Sequence, residues 1–161
     1  MRPPRIGDGA GLAATQEEGS AHLADLSPAL FRPLEPDDER AGRVERRALE
    51  PDPDALWRVA EVDGRVVGYV WAVLQRPDPA ARRGGTRYPG QLRVWVNSLI
   101  VQQAYARRGV ASRLMAAVEE WARGRGAELV MLQTWADSPE SVPFYERIGY
   151  RRRAIIFQKQ L

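Results

Sequence analysis

Residues 92–123 read LRVWVNSLIVQQAYARRGVASRLMAAVEEWAR, and two periodicities meet inside them. Leu92–Val101 is an apolar run of strand length, rich in β-branched and aromatic side chains. From Gly109 to Arg123, the apolar residues Val110, Leu114, Val118 and Trp121 recur at the spacing of one helix face. Between strand and helix lies a short connection that carries Arg107 and Arg108 and ends on Gly109. Small residues at Gly109 and Ala111 let another molecule come close to the backbone. The first amides of a helix have no partners inside it, and the helix dipole adds positive potential there. A pyrophosphate is a natural occupant of such a junction, with Arg107, Arg108 or Arg113 pairing its charge. The octapeptide Arg107–Leu114 also fits a plainer reading, in which Gly109 shapes a turn and the arginines are solvated.

Working outward, Leu56–Val62 (LWRVAEV) and Val66–Leu74 (VVGYVWAVL) flank Asp63-Gly64. An Asp-Gly pair between two such runs predicts a tight hairpin, because both turn positions need positive φ. Downstream, the pattern predicts a strand over Glu128–Trp135, a short helix over Pro139–Ile148 and a final strand from Tyr150 to Gln160. Upstream, Asp8 is placed to cap a helix over residues 9–21, with Glu17 and Glu18 on its solvent side. A proline-rich stretch follows around Leu30 and Phe31, and a second helix starts at Asp37 or Asp38 and ends before Pro51. A Pro-, Gly- and Arg-rich loop spans Arg76–Gly90. Strand, helix, strand in the last part implies a parallel crossover, within a sheet that also holds an antiparallel hairpin. The pattern is that of an α/β sandwich in one domain over residues 1–161.

Composition removes several chemistries. The chain has no cysteine, which excludes disulfides, thiolate metal sites and a cysteine nucleophile. A single histidine, His22, argues against a polyhistidine metal centre. No apolar run is long enough to cross a bilayer, and the N-terminal residues carry no signal-peptide core, so the cytoplasm is the expected address. The net charge is +3, and of 24 basic residues only Lys159 is a lysine. Arginine suits phosphate, yet the basic residues are interleaved with acids, and only Arg151–Arg153 form a run. Nucleic acid is therefore not the expected partner.

The stretch from Ser98 to Tyr150 resembles the acyl-CoA-binding half of the GNAT acetyltransferases. That family's pyrophosphate loop reads Gln/Arg-x-x-Gly-x-Gly/Ala, and Ala106, Arg107, Arg108, Gly109, Val110 and Ala111 stand at its positions. Ala106 departs from the pattern by removing one side-chain donor; the backbone amides remain. Phe144-Tyr145-Glu146-Arg147-Ile148-Gly149-Tyr150 is similar to the family's Phe-Tyr-Glu-x-x-Gly-Phe segment. Ser138 stands seven residues before Tyr145, where the family often has Asn. The hairpin Arg58–Val73 matches the family more loosely, and Met1–Asp8 fits an abbreviated first strand.

The resemblance implies a mixed, mostly antiparallel sheet flanked by helices, with a central parallel strand pair splayed around acetyl-CoA. It implies that the main chain of Leu99, Ile100 and Val101 pairs with pantetheine, and that the Leu99 amide polarises the thioester carbonyl. By the same resemblance, the run Ala106, Arg107, Arg108, Gly109, Val110, Ala111, Ser112 and Arg113 holds the pyrophosphate. Ser138 then contacts pantetheine or caps the short helix, and Tyr145, beside the cofactor sulfur, gives a proton to the departing thiolate. The implied reaction is direct acetyl transfer to an amine, a small molecule or a peptide, with no membrane partner and with a homodimer left open. Many relatives carry a carboxylate where Asn97 and Ser98 stand, which leaves Glu61 and His22 as candidate proton acceptors. Leu30–Pro36 and Arg76–Gly90 border the acceptor by analogy, and Tyr69, Trp71, Trp95 and Trp135 are candidate walls. The alternatives are a non-catalytic acyl-CoA-binding module and an arginine-rich nucleic-acid-binding domain.

Overall fold

The computed structural model describes residues 1–78, 90–136, 138–154, 156 and 159. Strand β1 (Ala55–Val62) and strand β2 (Arg65–Gln75) form the expected hairpin. Asp63 and Gly64 turn it with φ of 49° and 76°, so both central residues occupy the left-handed region that this turn requires. Residues 79–89 of the expected loop lie outside the described residues. Strand β3 (Arg93–Val101) then pairs antiparallel with β2. Helix α3 (Val110–Gly124) crosses over to β4 (Leu129–Leu132), which pairs parallel with β3 and completes the order β1-β2-β3-β4.

Both faces of this sheet are covered, which explains why β2 is buried continuously from Val66 to Val70. Val67, Val70, Ala72, Val94 and Val96 pack on the α3 side with Val110, Leu114, Met115 and Val118. Val59, Val66 and Tyr69 pack on the other side with Leu12, Ala13, Val44 and Ala48. These last four come from α1 (Gly9–Leu26) and α2 (Arg40–Leu49).

Five expectations need correction. Asp8 stands at the N-cap of α1 without capping it. Its buried carboxylate instead takes both Arg2 guanidinium nitrogens, each at 2.7 Å, and the Arg5 amide at 2.8 Å. Bidentate pairing to a charged fork is stronger than a neutral cap, so the carboxylate turns back toward the N-terminus. Glu18 is only half-exposed, because it accepts the Gln103 amide at 2.5 Å, and α1 runs on to Leu26 rather than stopping at residue 21. Strand β4 is shorter than Glu128–Trp135, since its ladder ends at Val96, the last β3 residue before Asn97. The expected final strand is not formed over residues 150–154, and most of its remainder lies outside the described residues. The abbreviated first strand survives as one antiparallel bridge between Arg2 and Val59. The short helix α4 occupies Ser141–Arg147, inside its expected range.

Candidate active site

The site begins with one extra residue. Along the β2–β3 ladder Trp71 faces Ser98, but Ala72 faces Val96, so Asn97 is a bulge on β3 and lies exposed. The bulge resets the alternation. Val94 and Val96 face α3, and so do Leu99 and Val101, whereas Ile100 joins the α1 side. Pairing with β4 covers only Arg93–Val96. From Asn97 to Val101, β3 therefore has a ladder on its β2 side and, among the described residues, no strand partner on the other. An open backbone edge of this kind can accept an extended ligand as an added strand.

The chain leaves this edge directly into the loop. Gln102 donates its amide to the Val67 carbonyl at 2.9 Å, and a single 3₁₀ turn spans Gln103–Tyr105. Ala106 is half-buried, with its amide bonded to Gln103 at 3.0 Å. Arg107 has φ of 61°, which a β-carbon disfavours, and Gly109 has φ of 76° as the N-cap of α3. Such left-handed residues turn successive amides toward one side, the geometry of an anion nest. The first amide of α3 to find a helical acceptor is that of Arg113, bonded to Gly109 at 3.1 Å. The amides of Val110, Ala111 and Ser112 have no acceptor among the described residues. A β-carbon on Gly109 would meet nothing within 4 Å, so the space beside Gly109 is open. Arg107, Arg108 and Arg113 are exposed around it, with the Arg108 guanidinium 5.7 Å from the Tyr105 ring centre.

Helix α4, packed against the same core cluster as α3, carries the expected acid. Tyr145 packs edge-on against Phe144 at 5.0 Å and Tyr150 at 5.9 Å. Burial among these rings pushes its phenol up to about 12, so it holds its proton at neutral pH. Its hydroxyl has no hydrogen-bond partner among the described residues. Tyr150 is raised too, by burial and by Glu119, to which it donates at 3.2 Å. Ser138 accepts the Ser141 amide at 3.1 Å, while the N-cap position of α4 is Glu140, which makes no side-chain cap hydrogen bond.

A family model described as the acetyltransferase (GNAT) family matches residues 21–150. The chain belongs to the GNAT acetyltransferase family. It is 29% identical over 93 residues to an N-alpha-acetyltransferase 30 of Schizosaccharomyces pombe, covering 58% of this chain and 57% of the relative. It is 30% identical over 119 residues to a mycothiol acetyltransferase of Clavibacter michiganensis, covering 73% of this chain and 34% of the relative. The chain thus spans between about a third and three-fifths of the length of the curated relatives it first matches. A solved Bacillus halodurans protein superposes with a TM-score of 0.84 at 14% identity, covering 99% of this chain and 98% of the other, a likeness of fold.

In this GNAT chain, helix α1 lies against the open end of β3 and carries His22, named from the sequence as a candidate proton acceptor. A β-carbon on Gly19 would stand 2.7 Å from Ile100, so only glycine lets α1 lie this close to the open end of β3. Thr15 accepts from the Gln102 side chain at 3.2 Å, and Glu18 holds the next amide. One turn beyond Gly19, the His22 imidazole meets Glu140, the residue before α4, at 3.2 Å. Phe31 packs edge-on against Trp135 at 4.5 Å, so the α1–α2 connection also touches the segment after β4. Residues 32–37 with Arg40 line an open hollow of about 380 Å³ nearby in sequence. Glu61 is not with this group. It sits on β1 and is held by Arg2 at 2.5 Å and Arg5 at 3.0 Å. Tyr69, Trp71 and Trp57 form a stacked series against α2, with Arg47 4.1 Å above Trp71, and so serve the core. Among the described residues no helix is long and apolar enough to cross a membrane, and no acidic or histidine cluster could hold a metal ion.

Proposed function

We propose that the chain transfers an acetyl group from acetyl-CoA to a primary amine by direct attack. The observation that carries this reading is continuity. The unpaired edge of β3 runs straight into a loop whose amides at Val110, Ala111 and Ser112 are free and whose Gly109 leaves open space. The residues present fit the cofactor. Leu99, Ile100 and Val101 would hold pantetheine by main chain, and the amides after Gly109 with Arg107, Arg108 and Arg113 would hold its pyrophosphate. Acetyl-CoA would supply the acyl thioester and a thiol leaving group. Tyr145 keeps a proton ready for the sulfur, and the Leu99 amide offers a dipole to the developing oxyanion. Holding both reactants in one gap supplies a large part of the rate.

The names of the relatives support testing both peptide and small-molecule acceptors. Thiol release from acetyl-CoA would be followed with a peptide bearing a free α-amine, an amino sugar and phenethylamine. Release above the acceptor-free rate with one of these is the expected result. A second reading, an acyl-CoA-binding module without turnover, draws on Asn97 and Ala106, which stand where a carboxylate and a side-chain donor are common. Tight acetyl-CoA binding with no acceptor-dependent release from any amine would establish that reading instead.

A further inference from the structure

We propose that His22, oriented by Glu140, is the proton acceptor for the attacking amine. This rests on the acetyl-transfer reading and supplies the role that Asn97 cannot fill, since an amide takes no proton. Helix α1 lies on the open end of β3, with Gly19 against Ile100 and Glu18 on the Gln103 amide. His22 follows Gly19 by three residues on α1, and its ring meets Glu140, the residue before the helix that carries Tyr145, at 3.2 Å. The pair joins residues 118 positions apart, and its partly exposed members, at 30% and 55%, are open to a substrate.

The hydrogen bond also fixes which atom works. With Nε2–H donated to the Glu140 carboxylate, the lone pair lies on Nδ1, which has no partner among the described residues. A base held in one tautomer by a carboxylate, which then faces the imidazolium, is the arrangement that proton abstraction needs. The acceptor's ammonium gives one proton to Nδ1 of His22, and the imidazolium later returns it to water. The freed lone pair makes the N–C bond to the thioester carbonyl carbon, and the C–S bond breaks. The sulfur takes its proton from Tyr145, and the second proton lost by the nitrogen restores the phenol.

The test uses the full chain with acetyl-CoA and the best of the three amines named above. His22→Ala should lower kcat about 10²-fold or more, with the KM for acetyl-CoA within about threefold of the parent. Imidazole added to the buffer should restore part of the His22→Ala rate and leave the parent unchanged. Glu140→Gln should lose less, about tenfold, and gain nothing from imidazole. If His22→Ala folds poorly, His22→Gln keeps a side chain of similar reach and is expected to show the same loss in kcat. A His22 variant that retains more than half of the parent kcat would overturn the proposal, as would a loss that imidazole leaves untouched. An inactive parent that still binds acetyl-CoA would instead overturn the functional reading beneath it.

Discussion

At Tyr145, the surrounding rings raise the phenol to about 12, and the sign of that shift decides its use. A raised value keeps the acid form populated throughout the neutral and mildly alkaline range, with loss only as pH approaches the shifted value. Tyr145→Phe preserves the ring packing and removes the proton. It should lower kcat by about 10²–10⁴-fold while leaving acetyl-CoA affinity unchanged, as read by steady-state kinetics beside calorimetry. In the parent, a profile of kcat from pH 7 to 10.5 should show no fall from this phenol, and a decline centred near 10 would contradict the burial argument. Gly109 works through its backbone. Nothing lies within 4 Å of where its β-carbon would stand, so Gly109→Ala tests conformation rather than clash. Holding alanine at φ of 76° costs about 1–2 kcal/mol, and urea unfolding of the variant should report that amount.

Between elements, the N-terminal segment is fastened by charge. Arg2 holds Asp8 and Glu61 together, while Glu45 of α2 accepts the Gly7 and Gly9 amides at 2.8 Å each. The Arg2 hydrogen bonds outweigh burial and keep the Asp8 carboxyl below the usual carboxylate range. A depressed value stabilises the fold fully above about pH 4 and ceases to do so as pH falls through the native value. Asp8→Asn should therefore cost about 1–3 kcal/mol at pH 7 and very little at low pH, so that its acid unfolding curve is flatter than the parent's. The helix start at Asp8 was legible in the sequence, but that its carboxylate would bind Arg2 instead of capping the helix was not, because Arg2 is placed by its bridge to Val59 on β1. The same limit applies to the bulge. Strand β3 was legible from its composition, but the insertion of Asn97 shows only when Trp71 and Ala72 are set against Ser98 and Val96.

Across the whole molecule, what was readable is what lies close in the chain. The hairpin turn, the strand–loop–helix junction at Arg107–Ala111 and the Tyr145 helix each carry their signal within a few residues. The proposed acceptor side does not. His22 meets Glu140 and Phe31 meets Trp135 only after the sheet has brought α1 beside the end of β4, and no periodicity records such a meeting. The central claim is that acetyl-CoA binds where β3 opens into the α3 N-terminus, and thermal unfolding tests it without knowledge of the acceptor. With acetyl-CoA at 100 times its Kd, the fold gains about 2.7 kcal/mol, a rise in Tm of roughly 5–10 °C for a chain of this size. The account predicts that rise in the parent and its loss in Gly109→Glu, whose carboxylate would occupy the anion nest. No rise at millimolar acetyl-CoA, or an equal rise in both proteins, would contradict it.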